Sequence, residues 1–250
     1  MERTIGVDLA VSPSKTAVAE IRWDQDDEVV AKTPELKRKD EDLLDLLSGL
    51  MPQERAGVDC PFGWPAPFVE ALAAHAEHRP WPGRTGRAQH YARLRLRTTD
   101  QVAQEVLRPF AGRDPLSVSM DKLGAVAARW AYLADHLAAA GHPVDRTGAG
   151  QVVEVYPAGA RAVWGLVGIR STHALLQAAP WLHFEPGARQ AYETSEHAFD
   201  ALIAALVARA TALGLTALPG NKQEERAATV EGWIHLPVPG SLARLAPSAA

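Results

Sequence analysis

The chain has 250 residues, 47% of them hydrophobic and 22% charged, which suits a globular protein of one α/β domain. One cysteine excludes an intramolecular disulfide framework, and a net charge of −4 argues against a surface that coats nucleic acid throughout, though not against a local basic face. No apolar run is long enough to span a bilayer and no signal-peptide pattern opens the chain, so the expectation is a cytoplasmic protein without a membrane partner.

The first element is the run Ile5-Gly6-Val7-Asp8-Leu9-Ala10, a buried strand with one carboxylate set into it. Ser12-Pro13-Ser14 is a turn. Thr16, Val18, Ile21 and Trp23 predict a half-buried strand over 15–23, antiparallel to the first. An acidic turn at 24–27 leads to a third strand at 28–33, closing a meander. Leu43, Leu44, Leu46, Leu47 and Leu50 recur at helical spacing, so 40–51 is a helix with an acidic first turn. A second apolar run, Ala56-Gly57-Val58-Asp59-Cys60-Pro61, is the fourth strand. A helix between strands returns the chain parallel and right-handed, which places Asp59 beside Asp8. Helices are expected at 65–78, 100–110 and 121–140, as an insertion of about 61–145, with 79–99 irregular and basic. Gln151-Val152-Val153-Glu154-Val155-Tyr156-Pro157 is the fifth strand, followed by a short helix at 158–164. Residues 165–194 are mixed. A long apolar helix carries Asp200 and runs to about 213, after an N-cap at Thr194 or Ser195. Residues 214–228 read as a polar loop, and 229–235 as a last strand or packed tail.

Four carboxylates on apolar elements, Asp8, Asp59, Glu154 and Asp200, suggest one site assembled by folding. Carboxylates that converge without matching lysines repel one another, and a divalent cation removes the repulsion. Oxygen ligands select a hard ion, Mg²⁺ or Mn²⁺, and such ions serve phosphoryl transfer and hydrolysis. Each residue also has a plainer reading. Asp8 and Asp59 suit backbone-capping turns, Glu154 suits an ion-paired strand position, and Asp200 suits a pair with an arginine. The four together are harder to dismiss than any one.

Residues 79–97 carry Arg79, Arg84, Arg87, Arg93, Arg95 and Arg97, interleaved with Trp81, His90 and Tyr91 and free of acids. Arginine forks with planar rings suit phosphates and unstacked bases, so Arg93, Arg95 and Arg97 are the expected contacts to nucleic acid, DNA or RNA. Because Arg95 and Arg97 alternate with Leu94 and Leu96, some of these side chains are also candidates to turn inward and pair with Asp100. His75 and His78 read as a surface pair, and Cys60 as a buried thiol.

These stretches resemble domain-of-unknown-function family 429, a family of predicted nucleases in the ribonuclease H-like superfamily. The resemblance rests on Ile5-Gly6-Val7-Asp8, Gly57-Val58-Asp59-Cys60-Pro61-Phe62-Gly63-Trp64-Pro65, Arg97-Thr98-Thr99-Asp100, Glu154-Val155-Tyr156-Pro157-Ala158, His197-Ala198-Phe199-Asp200-Ala201 and Glu231-Gly232-Trp233-Ile234. It implies an α/β fold with a mixed five-stranded sheet of order 3-2-1-4-5, flanking helices and a helical insertion in a single domain. It implies Asp8, Asp59 and Asp200 as metal ligands. His197, three residues before Asp200, resembles the His-plus-Asp pair of Holliday-junction resolvases and joins the expected catalytic set. The ribonuclease H pattern has a glutamate in the first helix. Neither Glu41 nor Asp45 has a claim to that place, and Glu154 is the expected substitute. The function so implied is a divalent-metal-dependent nuclease. Two rivals are a non-catalytic nucleic-acid- or protein-binding module on the same fold, and an actin-like phosphotransferase. The second would need a repeated fold and glycine-rich phosphate loops, neither of which the sequence has.

Overall fold

A computed structural model describes residues 3–23, 28–83, 86–110, 112–166 and 170–247, without the side chain of Arg87. The acidic turn expected at 24–27 lies outside the described residues. Strand β1 (Arg3–Asp8) pairs antiparallel with β2 (Ala17–Trp23), and β2 with β3 (Val29–Ala31) and with the two-residue β4 (Glu35–Leu36). Helix α1 (Asp40–Ser48) then carries the chain to β5 (Arg55–Asp59), which lies parallel to β1. Helices α2 (Ala66–Ala76), α3 (Arg87–Arg95), α4 (Thr98–Leu107) and α5 (Gly124–Ala139) follow, then β6 (Val152–Glu154), parallel to β5. After α6 (Pro157–Val163) and α7 (Thr172–Ala178), β7 (Leu182–Phe184) pairs parallel with β3. Helices α8 (Ala188–Thr194), α9 (Glu196–Ala212) and α10 (Lys222–Glu231) complete the chain.

The α/β class and the mixed sheet flanked by helices are as expected. The sheet has seven strands, in the order β6-β5-β1-β2-β3-β7 with β4 on β2, instead of five strands ordered 3-2-1-4-5. The additional strands are two and three residues long, too short to display an alternation. Two further corrections concern helices. Residues 87–95, expected to be irregular, form α3, where arginine, alanine and glutamine are good helix formers and, among the described side chains, only Leu94 is buried. Residues 222–231, expected as loop and strand, form α10. Its cap is Asn221, whose side chain accepts from the amides of Gln223 and Glu224 at 3.0 Å each.

The two faces of the sheet differ in what covers them. Helix α9 packs over β1, β2 and β5 on one face. On the other, Ile5, Val7 and Val58 pack with Leu43 and Leu47 of α1 and with Trp130, Leu133 and Leu137 of α5. Helix α9 is buried almost all round, which explains its lack of a polar stripe. Its close approach depends on small residues on both sides. A Cβ on Gly6 would stand 1.8 Å from the Ala201 carbonyl oxygen, and one on Gly57 2.5 Å from that of Ala204. We expect Gly57→Ala to lower stability by about 1–3 kcal/mol through overpacking, read as a fall in the urea midpoint. An unchanged midpoint would mean that the helix stands farther off than described.

Candidate carboxylate site at the sheet end

Side chains alternate across a strand, so Gly6 and Asp8 share a face, as do Gly57 and Asp59. That face is the one α9 covers. Asp8 and Asp59 are register partners in the parallel β1–β5 pair, so their backbones stand about 4.8 Å apart. The head of α9 lies over them. Ser195 caps α9, accepting from the Ala198 amide at 3.2 Å. One turn in, His197 and Asp200 share a side of the helix. His197 Nδ1 meets Asp8 Oδ2 at 2.6 Å. The loop after β1 is fixed by Arg129, which donates to the carbonyl of Ala10 at 2.5 Å and to Thr16 Oγ1 at 2.6 Å.

Asp59 has no hydrogen-bond or ion-pair partner among the described residues. Burial pushes its pKa well up, and Asp8, Asp200 and Glu154 add to the rise. Asp8 is raised to about 6, by burial first, with the His197 hydrogen bond opposing and Asp200 reinforcing. Asp200 reaches the same sheet end but is engaged by Arg170, whose Nη2 donates at 2.7 Å and Nε at 3.1 Å. Arg161 Nη2 lies 3.6 Å from it. Three expected ligands therefore share a neighbourhood, but among the described residues no three His, Cys, Asp or Glu side chains are arranged to hold a metal ion.

Glu154 is out of phase with the other carboxylates. Its register partner on β5 is Val58, so it points to the face opposite Asp59. There Arg97 grips it, Nη2 to Oε1 at 2.7 Å and Nη1 to Oε2 at 3.0 Å, and the Phe62 amide donates to Oε2 at 2.9 Å. Arg97 also donates to Asp100, from Nη2 at 2.8 Å and Nε at 3.2 Å, and to the Glu231 carbonyl at 3.0 Å. Arg97, Asp100 and Glu154 are each 2% exposed or less. Burial opposes the charge on Arg97, but the two carboxylates outweigh it and hold its pKa above the ordinary value. A Cβ on Gly232, whose φ of +89° suits glycine, would stand 2.5 Å from Glu154 Oε2. The charges of the cluster thus satisfy one another, with Gly232 packed against Glu154.

The arginine stretch divides accordingly. Arg97 is buried in this cluster, whereas Arg93 and Arg95 are exposed on α3. Arg79 pairs with Glu77 at 2.5 Å. Arg84 and the side chain of Arg87 lie outside the described residues. Glu41 and Asp45 are exposed on α1, on the face away from α9. Cys60 is buried with its thiol pKa pushed well up by burial, which keeps it protonated and unreactive.

Sequence reasoning missed Arg161 and Arg170. A signal for Arg161 was present, because it is a lone charge in the small, apolar helix Pro157–Val163. It is 8% exposed, and its Nε has no hydrogen-bond partner among the described residues. Beside the carboxylates opens a cavity of about 390 Å³, bordered by Asp8, Asp59, Glu154 and Tyr156.

Comparison with family models matches residues 6–224 to the family described as "Protein of unknown function (DUF429)". The chain belongs to the DUF429 family. The matched span runs from β1 into α10, and so contains Asp8, Asp59, His197 and Asp200. No curated protein and no solved structure matches the chain. No helix among the described residues is long and apolar enough to cross a membrane.

Proposed function

We propose that this DUF429 protein is a divalent-metal-dependent nuclease that hydrolyses phosphodiester bonds at the Asp8–Asp59 pair. The observation that carries the reading is the pair itself. Two carboxylates stand side by side at the ends of adjacent parallel strands, the Asp59 side chain has no partner among the described residues, and both border a cavity. Such an arrangement is unfavourable when empty and suits a hard cation. The ribonuclease H-like superfamily reading draws support from the meander β3-β2-β1 followed by the parallel strands β5 and β6, once the two short strands are set aside.

The donor set fits Mg²⁺ or Mn²⁺ through Asp8 and Asp59, with Asp200 joining on release from Arg170. Bound there, the ion would neutralise the carboxylates and supply Lewis-acid activation for phosphodiester hydrolysis. His197 holds Asp8 through Nδ1, and its Nε2, without a partner among the described residues, is placed to accept or deliver a proton. Arg161 and Arg170 bring positive charge beside Asp200, where a phosphate would lie.

The test is cleavage of single-stranded, duplex, hybrid and junction substrates at a series of Mn²⁺ and Mg²⁺ concentrations. Activity that depends on metal and disappears in Asp8→Asn is expected. Absence of cleavage on every substrate, or full activity in the variant, would end the nuclease reading. A second reading, a phosphate-binding module without hydrolysis, is favoured by the Arg170–Asp200 pair, which occupies the third carboxylate. Calorimetric titration with Mn²⁺ separates the two, since the module need not bind the ion.

Arg93 and Arg95 remain the proposed contacts to the nucleic-acid backbone. Replacing both by glutamine is expected to leave the melting temperature unchanged and to reduce the log–log salt slope of binding by about 2. An unchanged slope would remove α3 from the binding face.

A further inference from the structure

We infer that the cavity beside Asp59 receives an unpaired nucleobase, which makes single-stranded nucleic acid the substrate class; the inference rests on the nuclease reading above. Pockets of about 300–1,000 Å³ hold small organic molecules, and this one, at about 390 Å³, is within that range. It is continuous with Asp8 and Asp59, so its occupant lies next to the reacting phosphate. Its floor includes Glu154 and Arg97, whose charges are mutually satisfied and buried. The floor therefore has no free cation to hold a phosphate. Its walls include Leu9, Leu123, Val126 and Ile234, which favour the apolar faces of a planar ring.

The rim has the opposite character. Arg113 and Asp114 are exposed there and have no ion-pair partner among the described residues. Their backbone is pinned, because the Tyr156 hydroxyl donates to the carbonyls of Arg113 at 3.1 Å and Asp114 at 3.4 Å. A guanidinium at the rim and apolar walls below match a nucleotide with its base inserted and its phosphate outside, toward the carboxylates. A base inside a duplex is stacked and paired, and must leave the stack to enter a concave site. Single strands meet that requirement without unpairing.

The experiment compares wild type with Ala158→Leu, which fills the cavity from α6, and with Leu116→Trp. Leu116 is 53% exposed on the rim, so the tryptophan narrows the mouth without disturbing the core. Cleavage with Mn²⁺ is measured on a single-stranded oligonucleotide, the same strand with one abasic residue at the scissile position, and the duplex. Binding of adenosine monophosphate and of ribose 5-phosphate is measured in parallel by calorimetry. The expected result is cleavage about tenfold or more faster on the intact single strand than on the abasic strand or the duplex. That preference should be lost in whichever variant stays folded. Equal rates on all three substrates would leave the nuclease standing and overturn the base pocket. Without cleavage anywhere, the nuclease reading fails. The pocket is then upheld if adenosine monophosphate binds about tenfold tighter than ribose 5-phosphate and the variants abolish the difference, and overturned if they bind alike.

Discussion

Arg97→Gln is expected to destabilise the protein by about 3–5 kcal/mol, as removal of one partner from a buried ion cluster does. The arginine fork satisfies Glu154 and Asp100 together and reaches the Glu231 carbonyl. These bonds tie α4, β6 and the end of α10 together in a region where Arg97, Asp100 and Glu154 are each 2% exposed or less. Glutamine would leave Glu154 buried with only the Phe62 amide as donor. Lysine would not restore the cluster, because an ammonium lacks the planar fork. Glu154→Gln in the Arg97→Gln background should recover part of the loss, since the uncompensated charge is then gone. Urea unfolding of the single and double variants measures this. Additive losses would mean that the two side chains do not interact. The same series decides whether Glu154 is structural, because a catalytic Glu154 would show lost cleavage in a fully stable Glu154→Gln variant.

Sequence reasoning placed Asp8, Asp59 and Asp200 at one end of the sheet because each lies on an element with a strong apolar signature, and added His197 through the resemblance alone. Short runs ending in aspartate, with a helix between them, imply neighbouring parallel strands. For Glu154 the decisive quantity was parity. A three-residue strand shows no reliable alternation of its own, and its phase is set by pairing with β5, which is a non-local fact. The arginines failed to act as a group for a related reason. They share composition, but Arg97 ends an extended residue before α4 while Arg93 and Arg95 lie on α3. The partner of Asp200 was foreseen as an arginine without being identified, because Arg170 lies 30 residues away. Helix α10 was hidden by its polarity, with only Ala228 and Glu231 buried. The spacing Asn221-x-x-Glu224 was the available signal, an N-cap followed by a glutamate three residues on.

Asp59→Asn is expected to abolish metal-dependent cleavage and, without metal, to stabilise the fold. The Asp59 carboxylate is half-buried with no partner among the described residues, and burial together with its neighbours Asp8 and Asp200 raises the energy of the ionised form. A folded pKa above the unfolded value means that the native state binds more protons at intermediate pH. Stability contributed by the protonated group is then full below the unfolded pKa of about 4 and declines as pH rises. For Asp8 the decline runs through about 6, and for Asp59, raised in the same direction, it adds to the loss in neutral solution. The wild-type apo protein should therefore lose stability from about pH 4 upward. Asparagine keeps the shape without the charge. At pH 8 the variant should be more stable than wild type by on the order of 1–3 kcal/mol, where each kcal/mol shifts Tm by about 2–4 °C for a chain of this size. The difference should narrow as pH falls toward 4, where both side chains are neutral. Asp200→Asn should behave oppositely, because it frees Arg170 and leaves the buried Arg161 without its carboxylate. Adding Mn²⁺ should raise the melting temperature of wild type and leave that of Asp59→Asn nearly unmoved, since an ion that binds only the native site stabilises in proportion to its affinity. Melting curves from pH 4 to 8, with and without Mn²⁺, test both halves together. A variant less stable than wild type at pH 8 would show that Asp59 has a structural partner. An equal Mn²⁺ shift in the two proteins would place the ion elsewhere.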